Sequence, residues 1–459
     1  MKEAPVRRSA RRYSDAPVNY RGTAQVFLCT AGTFLCANCY LLYLKQPWLI
    51  LPALILFVAV NLFPGLVQRS IPGIRLKVCQ HGILCMWSFL WSTLLSLVLH
   101  GVLAFLLLPE RWTDLLWSLL VALVAETVLF WNGVISVYVT SVQLGIKVRI
   151  LCALLGLVPG PNLLALFWIL RVVREEVRFE TEKCRLDARR AGEQICATKY
   201  PIMLVHGVFF RDFRLVNYWG RIPGALKKNG AQVYYGKHPS AASVADSAEL
   251  LKLRVREILI QTKSEKINLI AHSKGGLDLR KALTDPDFVP LVASVTTINT
   301  PHRGCSFADY LLKTLDEKTQ RRIARAYNDA ARRLGDINPD FMAAVRDLTA
   351  DACEKFDRET PAPEGVFCQS VGSTIRRASG GKFPMNFTYA MAKRFDGPND
   401  GLVSVDSFPW GSRYQLLSAP GRRGISHSDI IDLNRENIPG FDVREFYVQL
   451  VHDLKEQGF

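Results

Sequence analysis

The chain has 459 residues, of which 49% are hydrophobic, and its 57 basic and 41 acidic side chains give a formal charge of +16. This length is enough for two or three domains. The positive charge alone does not indicate nucleic-acid binding, because no nucleic-acid-binding motif accompanies it, and we expect no nucleic-acid partner. The 11 cysteines have no regular spacing, which excludes a disulfide framework and a zinc motif and favours buried, reduced thiols.

The first third of the chain is predicted to form an all-α transmembrane bundle. Residues 1–23 are polar and basic and are predicted to form a disordered tail. Nearly uncharged stretches, each about as long as a bilayer span requires, follow this tail. These stretches are residues 24–44, 48–68, 82–108 and 115–144. Several such runs in succession are not expected in the core of a soluble protein, so the sequence predicts an integral membrane protein with the bilayer as a partner.

The last apolar stretch of this region, residues 150–170, has two interpretations. The segment Pro159-Gly160-Pro161-Asn162 interrupts it, as expected for either a kinked fifth span or a re-entrant hairpin. The distribution of Lys and Arg between the spans places the N-terminus in the cytoplasm. Basic residues that follow position 170 favour four spans and a hairpin, which would leave the rest of the chain on the cytoplasmic side.

Two polar residues, Glu126 and Asn132, lie within the fourth stretch. Polar side chains are costly at membrane depth, so each indicates either an interhelical contact or a site. Because the sequence shows no basic partner near Glu126, a structural hydrogen bond is favoured over ion transport.

The remainder of the chain is predicted to be a helical linker, residues 171–198, followed by an α/β domain, residues 199–459. Short β-prone and helix-prone segments alternate from residue 200 onward, which is typical of a parallel, doubly wound sheet. The predicted strands are residues 201–205, 231–235, 267–271 and 292–298, and the predicted helices are residues 219–228, 245–261 and 277–283.

The segment Ala271-His272-Ser273-Lys274-Gly275 links a predicted strand to a predicted helix. It has the pattern of a nucleophile elbow, in which a serine stands at a sharp turn and small residues two positions on either side allow the backbone to turn. Ala271 occupies a position where the strict motif has glycine. The alternative interpretation is a solvated turn after a core strand, and the residues elsewhere in the domain decide between the two.

An acid and a base follow Ser273 in the chain order that this elbow requires. Asp400 lies in the turn sequence Asn399-Asp400-Gly401, which is predicted to lead into an apolar strand, and Asp396 and Asp406 are rival acids. His427 lies in a loop before the C-terminal helices. His452 is the other histidine after the acid, but it lies in a helical pattern typical of a surface residue.

Four sequence blocks together resemble the bacterial triacylglycerol lipases of the α/β-hydrolase superfamily. The blocks are YPIMLVHG, AHSKGG, INTPHRGC and NDGLVS, and the resemblance runs from about residue 199 to the C-terminus. It implies an α/β-hydrolase sheet with a helical lid at about residues 306–360. It also implies that Ser273 is the nucleophile, Asp400 the acid and His427 the base, with the amides of Val208 and Lys274 forming the oxyanion hole.

The same resemblance bears on a cofactor. Some lipases of this kind bind a structural calcium ion through an aspartate two residues after the base histidine, and Asp429 stands at that position. Ala378 and Leu433 stand near the places where further ligands are expected. We therefore expect no cofactor, with Asp429 only a weak candidate for calcium. His302, in the block after the next strand, is expected to be structural.

The predicted function is that of a membrane-anchored serine lipase or esterase, in a bacterial cell membrane, that hydrolyses lipid esters through an acyl-enzyme. A lipid acyltransferase and a phospholipase remain alternatives. A membrane scaffold with an inactive hydrolase fold and a transporter centred on Glu126 are the non-enzyme alternatives. Residues 209–212, Phe-Phe-Arg-Asp, either shape the substrate pocket or pack the domain.

Overall fold

The computed structural model describes residues 20–65, 67–208, 217–333, 339–382, 385–421 and 423–459. The predicted disordered tail therefore lies almost entirely outside the described residues. The chain divides into two compact units, a helical one that ends at Ala188 and a second one that spans Arg189–Phe459.

The first unit is built from helices. In chain order they are α1 (Tyr20–Asn38), α2 (Tyr40–Lys45), α3 (Ile50–Leu62), α4 (Ile74–Leu107), α5 (Trp112–Thr140), α6 (Ile146–Gly156) and α7 (Pro161–Arg189). Within the described residues, α4 and α5 are long and apolar enough to cross a membrane, and Pro47–Leu62 is a shorter apolar helix. The number of spans stays a prediction.

Two boundaries in this unit differ from those expected from composition. Helix α4 begins at Ile74, whereas the predicted uncharged stretch begins at residue 82. The first turns of the helix contain the charged residues Arg75 and Lys77, so a search for uncharged residues does not include them. The predicted break at Pro159-Gly160 is present as the turn between α6 and α7. Helix α7 then continues to Arg189, so one helix covers both the end of the apolar stretch and much of the predicted linker.

The polar residues of the apolar helices pair with one another. Ser92 of α4 donates a hydrogen bond to Oε1 of Glu126 at 2.5 Å. The side-chain amide of Asn132 donates to the carbonyl oxygen of Asn61 at 2.6 Å. These contacts are of the interhelical kind expected from the sequence.

The second unit contains a parallel sheet with strand order β2-β1-β3-β4-β5-β6 in the described part of the chain. The strands are β1 (Ile202–Val205), β2 (Val233–Tyr235), β3 (Ile267–His272), β4 (Val292–Ile298), β5 (Phe367–Ser373) and β6 (Arg413–Leu417). Every residue of β1, β3 and β4 is buried, as expected for central strands covered on both faces.

Alternate side chains of the central strands enter two separate cores. Leu204 and Ile270 belong to the core on one face, while Met203 and Leu269 belong to the core on the other. Successive strand residues point to opposite faces, so one strand supplies both cores. Helices α8 (Ile222–Lys228), α9 (Val244–Thr262), α10 (Lys274–Ala282), α15 (Met385–Asp396) and α16 (Val443–Glu456) belong to this unit.

A helical insertion separates β4 from β5. Its helices in the described residues are α11 (Ser306–Thr314), α12 (Glu317–Arg333), α13 (Phe341–Arg346) and α14 (Ala350–Glu359). This insertion occupies the segment predicted to be a lid.

The turn that contains Asp400 does not lead into a strand as predicted. Asn399 and Ser404 instead form an isolated antiparallel bridge, and a short 3-10 helix, Val405–Ser407, follows. The apolar residues of this segment pack in a small cluster with Phe408 and Cys305, so burial rather than strand pairing explains them. The next strand, β6, begins only at Arg413.

The eleven cysteines are all free, and nine of them are buried. Cys39 and Cys184, both in the helical unit, are partly exposed. This arrangement agrees with the reduced thiols expected from their irregular spacing.

Candidate active site

Ser273 stands at a sharp turn between β3 and α10. Its backbone has φ of 56° and ψ of −133°, a left-handed conformation that is strained for a residue with a side chain. The amide of Ser273 donates to the carbonyl oxygen of Ile298 at 2.9 Å, and the Gly276 amide donates to the Ser273 carbonyl at 3.0 Å. These bonds on either side hold the turn in the geometry of a nucleophile elbow.

Close packing around the elbow requires two glycines. A Cβ atom at Gly275 would come within 2.5 Å of the carbonyl oxygen of His206, and one at Gly207 within 2.7 Å of the Ser273 Cβ. The loop after β1 therefore lies directly against the serine. A side chain at either glycine would separate this loop from the elbow.

The structure brings Ser273, His427 and Asp400 into one hydrogen-bonded line. His427 Nε2 lies 3.1 Å from Ser273 Oγ, and His427 Nδ1 lies 2.6 Å from Asp400 Oδ2. An ionised carboxylate only accepts hydrogen bonds, so Nδ1 carries the imidazole proton and Nε2 is free to accept the serine proton. Asp400 is fully buried, and Ser273 retains 9% of its accessible surface.

Four donors fix the carboxylate of Asp400. Its Oδ1 accepts from the amides of Leu402 and Val403 at 2.9 and 2.8 Å. Its Oδ2 accepts from Asn299 Nδ2 at 2.6 Å as well as from His427. Sequence reasoning did not assign a role to Asn299, although this residue follows β4 directly and so stands at the edge of the sheet beside the serine.

The rival acids and base lie elsewhere. Asp396 and Asp406 each offer a backbone carbonyl, to Ser404 and Arg303 respectively, and neither is hydrogen-bonded to His427 among the described contacts. The ring of His452 lies 3.2 Å from the carbonyl oxygen of Ile195.

A tyrosine and a second histidine join the loops that carry the site. The Gly207 amide donates to the hydroxyl of Tyr218 at 3.1 Å, and this hydroxyl lies 2.6 Å from Nδ1 of His272. Burial, followed by the neighbouring His427, holds the pKa of His272 well below its ordinary value, so Tyr218 donates to a neutral ring. The ring of His272 lies 4.5 Å from that of His427. Tyr218 and His272 had no assigned role from the sequence, and neither position carries a signal apart from its proximity to a motif.

The side chain of Lys274, the first residue of α10, is buried. Its Nζ lies 2.6 Å from Asp278 Oδ1 and 3.1 Å from Ser247 Oγ. Burial raises the pKa of Asp278 to about 6, and Lys274 opposes this increase. His238 Nε2 lies 3.5 Å from the other oxygen of this carboxylate. This ion pair fixes the first turn of α10, where an N–H has no partner inside the helix and is available to an anion.

Arg280 of α10 attaches the helical insertion to the rest of the hydrolase unit. The guanidinium is 2% exposed and donates at 2.7 Å both to Asp357 Oδ1 and to the carbonyl oxygen of Thr360. Its Nη1 lies 3.0 Å from Nδ1 of His302, whose ring stacks on Trp410. His302 is thus part of the attachment, in agreement with the structural role expected for it.

A cleft of about 520 Å³ lies between the insertion, α15 and the segment after Asp400. None of the three residues of the hydrogen-bonded line borders it. Its charged lining residues are Arg303, Asp309, Lys313, Asp396 and Asp406.

The calcium candidate, Asp429, already has partners for both oxygens. Oδ1 lies 3.0 Å from Arg423 Nη2, and Oδ2 accepts from the Ser426 amide at 3.0 Å. Ala378 and Leu433 have no side-chain oxygen to offer. No cluster of three metal-ligating side chains occurs among the described residues. The residues present therefore do not fit calcium.

Residues 209–212, which were expected to shape the pocket or pack the domain, lie outside the described residues. The amide of Val208 follows Gly207 and so belongs to the loop that lies against the serine. Its predicted role beside Lys274 stays a prediction.

The chain is similar in sequence to known lipases. The chain is 35% identical over 315 residues to a triacylglycerol lipase of Burkholderia plantarii, and the match covers 54% of this chain and 87% of that protein. It is 36% identical over 314 residues to a triacylglycerol lipase of Pseudarthrobacter phenanthrenivorans, covering 54% of this chain and 98% of that one. Among solved structures, a lipase of Bacillus licheniformis in mature form is 22% identical with a TM-score of 0.41, covering 55% of this chain and 92% of that one. No family model matches the chain.

Proposed function

The chain belongs to the triacylglycerol lipase family and is a carboxylic-ester hydrolase, and from this premise we propose that it is a membrane-anchored serine lipase acting on lipid esters. The observation that carries the proposal is the hydrogen-bonded line from Ser273 through His427 to the buried Asp400. This arrangement supports nucleophilic acyl transfer, because each group has the partner that its role requires.

In the proposed reaction, His427 Nε2 removes the proton of Ser273 as Oγ attacks the ester carbonyl carbon. The tetrahedral intermediate collapses, the bond between that carbon and the alcohol oxygen breaks, and the alcohol leaves with the proton from His427. Water then attacks the acyl-enzyme by the same route, releasing the carboxylic acid and restoring Ser273. Asp400 orients the imidazole and stabilises its charged form throughout.

The amides of Val208 and Lys274 are proposed to bind the oxyanion. Negative charge develops on the carbonyl oxygen in the transition state, and fixed N–H donors stabilise that charge by several kcal/mol. The close approach of the Gly207 loop to Ser273 and the position of Lys274 at the start of α10 support this assignment.

The substrate is proposed to be a lipid ester taken from the bilayer. Helices α4 and α5 fit membrane association by length and composition, and an anchored hydrolase would meet its substrate at the membrane surface. We propose a location in the cell membrane with the hydrolase unit on the cytoplasmic side, from the distribution of basic residues between the apolar stretches. Transfer of the acyl group to an alcohol instead of water would use the same residues.

The test is reaction of the detergent-solubilised full chain with a fluorophosphonate probe, together with hydrolysis of a short and a long p-nitrophenyl ester. We expect the wild type to be labelled and active, and Ser273→Ala to lose both properties. Ser404→Ala is a matched control, since Ser404 lies near Asp400 in the chain but contacts none of the three residues among the described hydrogen bonds. A folded wild type that neither reacts with the probe nor hydrolyses either ester would contradict the proposal and favour a scaffold.

A further inference from the structure

One guanidinium group, that of Arg423, contacts the loop that carries His427. Arg423 Nη2 lies 2.6 Å from Glu436 Oε2 and 3.0 Å from Asp429 Oδ1. Its Nε donates to the carbonyl oxygen of Gly380 at 3.3 Å. Arg423 therefore links two points of the His427 loop to Gly380, which lies 43 positions earlier in the chain than Arg423.

Asp429 transmits this attachment to the base histidine. The carboxylate is 95% buried, with 5% of its surface exposed, and accepts a hydrogen bond from the Ser426 amide at 3.0 Å. The Asp429 amide in turn donates to the Ser426 carbonyl at 3.0 Å. Ser426 precedes His427, whose own amide donates to the carbonyl oxygen of Asp400 at 2.9 Å.

A buried carboxylate of this kind needs a positive partner. The positive partner of Asp429 is Arg423, whose Nη2 lies 3.0 Å from Oδ1 of the buried carboxylate. Without that charge, the ionised carboxylate would be left buried and unpaired, which is costly.

The acceptors around Arg423 are also the kind that a calcium ion takes. They are two carboxylates and one backbone carbonyl, and calcium prefers such oxygen ligands. Lys382 also contacts Glu436, so two positively charged side chains already face these acceptors, and together they repel a divalent cation. The guanidinium and a metal ion are therefore alternatives at this point.

We propose that Arg423 is a positioning residue that serves as a built-in cation, holding the His427 loop in the way that a calcium ion bound to Asp429 would. This inference rests on the proposed catalytic role of His427. It has two consequences: the wild-type protein needs no divalent cation, and removal of the guanidinium creates a site that a divalent cation fills.

The test compares wild type, Arg423→Ala, Arg423→Lys and Arg423→Ala/Asp429→Asn as full-length chains in detergent. Each is assayed for kcat, KM and thermal unfolding in millimolar EDTA and in millimolar calcium chloride. Arg413→Ala is the matched control, because Arg413 pairs with Asp453 at 3.8 Å in an exposed ion pair away from the loop.

We expect kcat and Tm of the wild type and Arg413→Ala to be the same in EDTA and calcium. In EDTA, kcat of Arg423→Ala should fall by about 10- to 100-fold with little change in KM, since a small displacement of a catalytic group has an effect of this size. Calcium should restore much of the rate and raise Tm, and Arg423→Lys should retain part of both. The double variant lacks the Asp429 carboxylate, and Lys382 still pairs with the remaining carboxylate of Glu436. Its kcat and Tm should therefore not respond to calcium.

Loss of wild-type activity or Tm in EDTA that calcium restores would overturn the inference. So would an Arg423→Ala protein with wild-type kcat, or one whose low kcat and Tm calcium does not change. If Arg423→Ala does not fold, the wild-type comparison and Arg423→Lys still decide the question. Thermal unfolding does not depend on turnover, so failure of the proposed esterase activity would be recognised separately by the absence of fluorophosphonate labelling.

Discussion

At the scale of single residues, the site depends on groups whose orientation is fixed before any substrate binds. Asp400 accepts from two backbone amides and from Asn299 in addition to His427, so the carboxylate has one orientation. A fixed acceptor at Nδ1 selects the imidazole tautomer that can accept a proton at Nε2.

Asp400→Asn should therefore abolish most of the activity without unfolding the protein. The asparagine amide would donate to Nδ1, which forces the proton onto Nε2 and prevents it from accepting the serine proton. We expect kcat to fall by about 10⁴-fold with a near-normal thermal transition. Asp396→Asn and Asp406→Asn are matched controls that should keep rates close to wild type. A larger loss in either control than in Asp400→Asn would show that the acid is assigned wrongly.

His302 provides a test of pH dependence. Burial, followed by Arg280 and Arg303, holds its pKa well below the ordinary value of 6.5, so the native protein excludes a proton that the unfolded chain binds. The stability from the neutral ring is present above pH 6.5 and is lost as the pH falls below it. One such group contributes a slope of about 1.4 kcal/mol per pH unit to the free energy of unfolding.

His302→Gln should remove that slope in the acidic range, whatever the overall stability of the variant. The quantity to compare is the difference in slope between the variant and the wild type. Asp278, with its pKa raised to about 6, contributes a slope of opposite sign, but it does so in both proteins. The measurement is thermal or denaturant unfolding at several pH values from 7.5 downward, with His452→Gln as the control. An unchanged slope in His302→Gln would mean that the native ring accepts a proton.

The sequence predicts Ser273, His427 and Asp400 as a set because motif and chain order restrict them, and hydrogen bonds join these three side chains in the structure. It did not locate Asn299, Tyr218 or His272 in their supporting roles, because each acts through a contact between segments far apart in the chain. Their hydrogen bonds join residues 54 and 101 positions apart, which no local pattern records.

At the scale of secondary-structure elements, hydrophobic runs identified the central strands but not the later ones. β1, β3 and β4 are wholly buried and agree with the predicted strands at residues 201–205, 267–271 and 292–298. β6 has an exposed and partly buried pattern, so it gives no continuous apolar run. The apolar residues after Asp400 suggested a strand because burial in a turn and burial in a sheet leave the same local signal.

The contact between α4 and α5 allows a test of the role of Glu126. If Glu126 is a structural acceptor for Ser92, Glu126→Gln should unfold at nearly the wild-type temperature, because the amide oxygen still accepts. Glu126→Leu and Ser92→Ala should each be less stable, and a double-mutant cycle between them should give a coupling of about 0.6 kcal/mol. Equal destabilisation by glutamine and leucine would show that the ionisable group itself is needed, which would favour a transport or ion-related role.

At the scale of the whole molecule, the chain consists of a helical unit and a hydrolase unit that begins at Arg189. The residues of the proposed site all belong to the hydrolase unit, whereas the helices that fit a membrane belong to the other. Composition predicts a membrane region to residue 170, a linker over 171–198 and a hydrolase domain from residue 199, because the apolar stretches end before the alternating strands and helices begin. The fold of each unit does not specify how many helices cross the bilayer. It also does not specify the side of the membrane on which the hydrolase unit lies.

Separation of chemistry from anchoring is therefore expected when the units are expressed apart. A fragment of residues 189–459 should hydrolyse a soluble short-chain ester at a rate close to that of the full chain. Its rate on lipids in vesicles should be lower than that of the full chain by about tenfold or more, because anchoring raises the effective concentration of enzyme at the substrate. Circular dichroism establishes that the fragment is folded. Equal rates on vesicle lipids would show that the helical unit does not deliver the enzyme to its substrate.

Because the native thiols of the hydrolase unit are buried, thiol labelling can determine on which side of the membrane this unit lies. Burial raises the pKa values of Cys353 and Cys368 to about 12, so these thiols hardly ionise and should react slowly with maleimides. With Cys39 and Cys184 replaced by serine, a single new thiol at the exposed Glu364 would be the fastest-reacting one. An impermeant maleimide added to intact cells would then label Glu364→Cys only if the hydrolase unit faces outward, without the need to remove every native cysteine.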